Sequence, residues 1–153
     1  MLLQLAVTID MGEADNIHPK EKRPVGDRLA LLALAGHYGK NVVASGPVFR
    51  SVERIDHALR VRFDHADGGL VVRGNQPEEF SVAGADRKWH WAQARLDGDD
   101  AIVVVSPEVP EPVAVRYAWQ SNPKANLFNG AGLPAGPFRS DDWPGSTDGK
   151  TSW

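Results

Sequence analysis

The chain opens on an almost continuously apolar run at residues 2–9, LLQLAVTI. A strand that is covered on both faces in a parallel sheet has this pattern, whereas a half-exposed strand alternates apolar and polar side chains. The run therefore predicts a buried strand that needs neighbouring strands.

A helix is predicted over residues 24–38. Pro24 suits the first turn, His37 falls in the last turn, and Gly39 can follow the C-terminus. Apolar side chains cover most of its circumference, so we expect other elements to pack against this helix on two sides. Exposing the strand and the helix would forfeit on the order of 10 kcal/mol of hydrophobic burial, which is comparable with the stability of a domain. We therefore expect their packing partners to precede Met1, with cover by the chain's own β-strands as the alternative.

From residue 41 the pattern changes to short strands separated by turn residues. Alternation at residues 59–64 predicts a half-exposed strand, and Asp97-Gly98 predicts a hairpin because glycine accepts the positive φ of the turn. Further strands are predicted at residues 42–44, 48–52, 70–73, 80–83, 89–96, 101–105 and 113–119. Strands at this spacing indicate a β-sandwich or a jelly-roll-like unit. From residue 122 the Asn, Gly and Pro content predicts an extended ordered loop, with a loose tail after Gly145.

Composition narrows the classes of partner. The 153 residues carry a net charge of −3, so the chain has no basic surplus with which to neutralise phosphates. Its apolar runs are far shorter than the roughly 20 residues that cross a bilayer. We expect neither nucleic acid nor a membrane as a partner. The absence of cysteine excludes disulfides and thiolate zinc sites but leaves the compartment open.

Candidate chemistry lies in the loop between the predicted strand and helix, where Asp15 and His18 form a D-x-x-H pair. Loops at the carboxyl ends of parallel strands hold the ligand and catalytic sites of such sheets. In acyl transfer a neutral imidazole takes the proton of a serine hydroxyl, and a carboxylate on its other nitrogen holds the tautomer. A purely structural histidine is the alternative. Metal binding by Glu13, Asp15 and His18 is a further alternative, but one histidine without cysteine is a weak ligand set, so no metal and no cofactor is expected.

Two separated stretches carry a resemblance to a known family. The run VTIDMGEADNIHPKEKRPVGDRLALLALA, which begins at Val7, resembles the last catalytic block of sialate O-acetylesterases, which are bacterial and animal enzymes of the SGNH-hydrolase group. VRYAWQSN, from Val115, and LPAGPFRSDDWPG, from Leu133, resemble the end of those proteins. YGK and SGP lie between the two stretches, so the resemblance covers nearly the whole chain.

The resemblance implies a serine esterase that removes acetyl groups from sugar hydroxyls, with sialic acid or acetylated plant polysaccharide as candidate substrates. In this family the nucleophilic serine lies in a glycine-flanked block near the start, and the oxyanion-hole glycine and asparagine lie in the middle. No serine of this chain has a G-x-S setting. We therefore expect the nucleophile in an N-terminal part of the catalytic domain that this sequence lacks, and no activity from the chain alone. The family also favours a periplasmic or extracellular location and leaves a cytoplasmic one open.

The resemblance also bears on the acid of the triad. Many relatives carry an aspartate two residues before the histidine, where this chain has Asn16. The broader SGNH pattern puts the acid three residues before the histidine, which is Asp15. We predict His18 and Asp15 as the catalytic pair, with Asp10 and Glu13 in reserve.

The predicted organisation has three segments. Residues 1–40 would be the last strand and helix of an SGNH or flavodoxin-like three-layer α/β domain, residues 41–121 an all-β sandwich, and residues 122–153 an ordered loop and tail that pack back on the catalytic domain. The alternative function is a non-catalytic carbohydrate-binding or docking module. Trp89 and Trp91 share a strand face, where a core role is favoured over sugar stacking. Arg116 and Arg139 could face an anionic sugar, but a structural ion pair is favoured.

Overall fold

A computed structural model of the chain describes residues 5–18, 20–145 and 147–149. In these residues the chain forms helix α1 (Arg23–Gly36) followed by strands only. The strands are β1 (Val48–Ile55), β2 (Ala58–Asp64), β3 (Leu70–Val72), β4 (Phe80–Ala83), β5 (Trp89–Trp91), β6 (Gln93–Leu96), β7 (Ala101–Val105), β8 (Ala114–Tyr117), β9 (Leu127–Asn129) and β10 (Phe138–Arg139).

The strands form a β-sandwich. Two four-stranded antiparallel sheets have the orders β1-β2-β7-β6 and β10-β8-β4-β5, and β3 pairs with β9 beside them. Apolar side chains from both four-stranded sheets meet in one core, with Val61 and Ile102 from the first sheet and Val82 and Val115 from the second all fully buried. The sandwich that the alternating pattern predicts is confirmed.

An aromatic cluster joins the two sheets. The ring of Phe138 lies 4.8 Å from Phe49 and 5.7 Å from Phe63 on the first sheet, and 5.8 Å from Tyr117 on the second, measured between ring centroids. Burial raises the pKa of Tyr117 to about 12, so its phenol stays neutral in the core. The segment after residue 122, predicted as a loop, thus contributes β9, β10 and a central core ring.

A buried amide ties this segment to the rest of the sandwich. The Nδ2 of Asn129 donates to the carbonyl oxygens of Ser45 (2.9 Å) and His65 (3.0 Å), and its Oδ1 accepts from the N–H of Leu133 (3.0 Å). Asn129 is almost fully buried. One side chain therefore fixes three backbone segments that are distant in sequence.

The predicted N-terminal strand is not observed in this chain. Residues 5–9 have no strand pairing, and residues 2–4 lie outside the described residues. A strand of a parallel sheet exists only through hydrogen bonds to neighbouring strands, and the described part of the chain offers none beside this segment. The prediction that it is the last strand of a three-layer α/β domain stays a prediction.

The predicted helix is confirmed as α1, although none of its residues is buried. Leu29 is 53% exposed, and Leu34 and Tyr38 are also exposed. The chain's own β-sheets therefore do not bury the helix, as the alternative of a small α+β domain would require.

Most predicted strands are found, with two differences. Residues 42–44 form no strand. The single strand predicted at 89–96 is broken at Ala92 into β5 and β6, which belong to different sheets. The hairpin at Asp97-Gly98 is confirmed between β6 and β7, with a φ of 76° at Gly98. The division at residues 40 and 121 into domains stays a prediction.

Candidate functional site

The loop that carries Asp15 and His18 is held by local hydrogen bonds. The N–H of Asn16 donates to the carbonyl oxygen of Glu13 (3.2 Å), and the N–H of His18 donates to the Oδ1 of Asn16 (2.9 Å). Asp15 and His18 are both exposed. Within the described part of the chain, no hydrogen bond or ion pair joins the Asp15 carboxylate to the His18 imidazole. The two predicted catalytic residues are thus on one tight turn but are not engaged with each other.

The two reserve acids have other partners. The Oε1 of Glu13 accepts a hydrogen bond from the N–H of Lys20 at 3.1 Å, which folds the loop back on itself. Both oxygens of Asp10 accept from the guanidinium of Arg28 at 2.7 Å, and the side chains of this pair are only 12% and 11% exposed. Burial raises the pKa of Asp10, but the hydrogen bond and charge of Arg28 outweigh it, so the pKa of Asp10 lies below its ordinary value. Asp10 is therefore held ionised as a structural anchor.

Arg28 joins the start of the loop to the helix. Its Nη1 also donates to the carbonyl oxygen of Val7 at 2.7 Å, so one side chain of α1 binds both the segment before the loop and Asp10. This pair was not predicted from the sequence, because Arg28 follows Asp10 by a full loop and about one turn of helix. Arg28 therefore anchors the start of the loop to α1, while the catalytic candidates Asp15 and His18 stay exposed.

A second candidate site lies on the outer face of the second sheet. A cavity of about 860 Å³ there is lined by three tryptophans and three arginines, which we call the tryptophan–arginine groove: Arg87, Trp89, Arg116, Trp119, Arg139 and Trp143. A neighbouring cavity of about 440 Å³ shares Trp89, Arg116 and Trp119 with it and extends to Trp91. The groove was not predicted from the sequence as a site.

Strand register explains why these side chains meet. Arg139 is paired with Arg116, Arg116 with Ser81, and Ser81 with Trp91, so the four residues form a row across the sheet. Side chains alternate between the faces of a sheet, and the neighbours Tyr117 and Val115 fill the core, so this row faces outward. Trp91 is 63% exposed, and the favoured core interpretation of Trp91 is wrong.

Arg116 is fixed at the floor of the groove. Its Nε and Nη2 donate to the two oxygens of Asp141 at 2.9 and 2.8 Å, and its guanidinium lies 4.1 Å from the ring centroid of Trp89. The hydrogen bond from Arg116 holds the pKa of Asp141 below its ordinary value, although burial opposes the shift. The structural ion pair favoured for Arg116 is therefore present.

The other two arginines lie at the sides of the groove. Arg139 donates from Nη1 to the carbonyl oxygen of Trp143 at 2.9 Å, and its guanidinium is 5.7 Å from the ring of Trp119. The guanidinium of Arg87 is 5.2 Å from the ring of Trp143. Each tryptophan of the groove thus has an arginine near its face, which orients both partners.

Among the described residues, no three His, Cys, Asp or Glu side chains come together as a candidate metal site. The part of the chain that the structure describes also has no helix that is long and apolar enough to cross a membrane.

Comparison with known proteins gives relatives over most of the chain. Sialate O-acetylesterase of Mus musculus is 31% identical over 149 residues, covering 88% of this chain and 27% of the relative. Sialate O-acetylesterase of Homo sapiens is 28% identical over 148 residues, covering 88% of this chain and 28% of the relative. A crystal structure of a carbohydrate acetylesterase from Xanthomonas citri superposes with a TM-score of 0.86 at 46% identity, over 90% of this chain and 32% of that one. No family model matches the chain.

These matches define the class to which the chain is similar, which is carbohydrate acetylesterases. More narrowly, they confirm the resemblance to sialate O-acetylesterases that the two sequence stretches predict. The chain spans 27% of the length of the mouse relative and 32% of the solved one. The resemblance is therefore to a portion of those enzymes.

Proposed function

We propose that this chain is the C-terminal portion of a carbohydrate O-acetylesterase and contributes the histidine and the acid of its serine-histidine-acid triad. His18 takes the proton of the attacking serine hydroxyl and then returns it to the leaving sugar oxygen. Asp15 orients the imidazole and stabilises its charged form. The serine and the oxyanion donors come from another part of the enzyme, so the chain is inactive alone.

The observation that carries the proposal is the exposed apolar surface next to the His18 loop. Helix α1 begins shortly after His18 and has no buried residue, while Leu29 and Leu34 remain exposed. Full burial of each such side chain contributes roughly 1.5 to 3 kcal/mol, so this surface favours a packing partner. A partner that covers α1 would also bring its own groups close to the exposed imidazole.

The identity of the relatives supports the chemistry. The proteins that align with most of this chain are named sialate O-acetylesterase and carbohydrate acetylesterase. Acetyl ester hydrolysis by a serine enzyme needs a general base of the kind that an exposed histidine in a fixed loop supplies. The preferred substrate class is an O-acetylated sugar.

The contacts of the three candidate acids favour Asp15. Asp10 is committed to Arg28, and Glu13 accepts a backbone N–H of its own loop. Asp15 is exposed, and none of its side-chain atoms takes part in a hydrogen bond or ion pair among the described residues. Its carboxylate is thus available to the imidazole three residues later.

The test is acetate release from an O-acetylated sugar by the intact enzyme that contains this chain. His18→Ala should lower kcat/KM on the order of 10⁴-fold or more, because the serine loses its base. His37→Ala is the matched control, since His37 is also exposed and lies at the end of α1. Turnover of the His18 variant within a few-fold of the control would reject the proposal.

The same assay ranks the acids. Asp15→Asn should cost roughly 10²-fold to 10⁴-fold in kcat with little change in KM, because the orienting carboxylate acts mainly in the transition state. Glu13→Gln should cost far less. A larger loss for Glu13→Gln than for Asp15→Asn would move the acid to Glu13 and leave the role of His18 intact.

A second candidate function is a non-catalytic carbohydrate-binding module. It is favoured by the outer face of the second sheet, where Trp91 and Trp119 are 63% and 50% exposed beside a cavity. Tryptophan and arginine are among the residues enriched where a few side chains supply most of the binding energy of a protein interface. Binding of an oligosaccharide by the isolated chain, lost in Trp91→Ala and Trp119→Ala, would support this function, and no binding would reject it.

A further inference from the structure

We propose that the tryptophan–arginine groove binds a carboxylated oligosaccharide, with sugar rings against Trp119 and Trp91 and a carboxylate on Arg139 and Arg87. This inference rests on the second candidate function and makes no use of His18 or of acetyl transfer. It names the ligand class as an acidic sugar chain and names the residues that select it.

The shape of the site suits an extended ligand. The two cavities, of about 860 and 440 Å³, share Trp89, Arg116 and Trp119 and so form one continuous surface across the sheet. These volumes fall in the range of sites that hold small molecules. The exposed ring of Trp91 at one end and that of Trp119 in the middle offer flat apolar faces along this surface. A chain of sugar rings matches such spaced faces better than a single compact ligand does.

The charge of the groove selects an anion. Three guanidinium groups and the carboxylate of Asp148 line the larger cavity, and Asp141 is hydrogen-bonded to Arg116. Glu108 lines the neighbouring cavity, where its carboxylate contacts the ring of His90. Asp141 forms an ion pair with Arg116, and its Oδ1 also lies 3.8 Å from the Nη1 of Arg139. The guanidinium of Arg87 has no carboxylate partner among the described residues. In the larger cavity positive charge therefore exceeds negative charge, and the planar fork of arginine suits a carboxylate.

The groove is also organised before any ligand arrives. Asp141 has a side chain only 1% exposed and holds Arg116 by two hydrogen bonds, and Arg116 in turn lies over Trp89. Arg139 is held by the carbonyl oxygen of Trp143. Side chains that are already ordered lose little conformational entropy on binding, which favours affinity. The rigid floor thus leaves the side arginines to contact the ligand.

The experiment is a calorimetric titration of the 153-residue chain with a short oligogalacturonate. The carboxyl-reduced form of the same oligosaccharide is the matched control ligand, since it keeps the sugar rings and linkages and loses only the charges. We expect the acidic form to bind at least about tenfold more tightly, as the loss of a charge-assisted hydrogen bond implies. Its affinity should fall as salt rises, because exposed charges are screened.

Variants assign the contacts. Arg139→Gln and Arg87→Gln should each weaken oligogalacturonate binding by about tenfold and leave binding of the reduced sugar unchanged, whereas Trp119→Ala should weaken both ligands. Arg95→Gln is the matched control, because Arg95 is an exposed arginine on β6 of the other sheet. Unchanged urea midpoints show that each variant is folded, and Arg87→Gln serves if Arg139→Gln unfolds.

The outcomes separate the two levels of the proposal. Equal affinity for the acidic and reduced sugars would overturn the acidic-sugar inference and keep the carbohydrate-binding function. Absence of binding by either sugar would overturn both. Loss of oligogalacturonate binding in Arg95→Gln to the same degree as in Arg139→Gln would place the binding elsewhere and overturn the groove.

Discussion

Asn129→Ala should destabilise the sandwich strongly, because this amide joins three backbone segments. The change removes two hydrogen bonds to the carbonyl oxygens of Ser45 and His65 and one from the N–H of Leu133. Each hydrogen bond contributes about 1 kcal/mol net, and a buried N–H left without a partner costs a further 1 to 3 kcal/mol or so. The expected loss is about 4 to 6 kcal/mol, a large fraction of the stability of a domain.

Urea unfolding followed by tryptophan fluorescence measures this loss. With a slope of about 2 kcal/mol per molar, the midpoint should fall by about 2 to 3 M. Asn75→Ala is the control, since Asn75 is exposed and should change the unfolding free energy by no more than about 0.5 kcal/mol. A loss below about 1 kcal/mol for Asn129→Ala would refute the reasoning, because the three contacts would then contribute nothing measurable.

Three further changes test the packing and the charges. Gly46→Ala would make a Cβ clash with the carbonyl oxygen of Pro134, so thermal unfolding should show a loss of about 2 kcal/mol or more, and an unchanged Tm would contradict the close approach. Ile102→Ala, at a fully buried position, should cost about 2 to 5 kcal/mol in urea unfolding. Asp141→Asn concerns pH. Because Arg116 lowers the pKa of Asp141, this carboxylate stabilises the fold above the ordinary aspartate pKa of about 3.9 and loses that effect as pH falls through its lower folded value. Stability of the variant should therefore vary less with pH below about 4, and an equal acid dependence would contradict the assignment.

Local pattern predicted the strands but not their partners. The alternation of side chains located β2 closely, because a half-buried strand repeats every second residue, and short apolar runs between turn residues located β4 and β7. The same pattern joined residues 89–96 into one strand, whereas the N–H of Ala92 donates to the carbonyl oxygen of Phe80 at the point where the chain passes from one sheet to the other. Such a crossing depends on contacts distant in sequence.

The face of the sheet on which a strand residue lies was also only partly predictable from the sequence. Periodicity put Trp89 and Trp91 on one face, which the structure bears out, but it does not say whether that face meets the core or solvent. The strands β9 and β10 were missed because they have only three and two residues and lie among glycines and prolines. Their existence depends on pairing with β3 and β8.

In the candidate site, too, the residues close together in sequence were predicted and the contacts between distant residues were not. The D-x-x-H spacing and the family resemblance singled out Asp15 and His18, and the structure adds the contacts that distinguish the three acids. The Asp10 ion pair with Arg28 and the tryptophan–arginine groove needed tertiary structure, because their members come from separate elements. A cluster of arginines and tryptophans in VRYAWQSN and LPAGPFRSDDWPG was the available signal for the groove.

The most direct test of the central claim is the labelling of the intact enzyme with a fluorophosphonate, with the modified serine located by mass spectrometry. If the imidazole of this chain activates a serine held elsewhere, the label will fall on a serine outside the 153 residues, and His18→Ala will slow labelling by orders of magnitude. A label on a serine within these residues, or an unchanged rate in the His18 variant, would contradict the account.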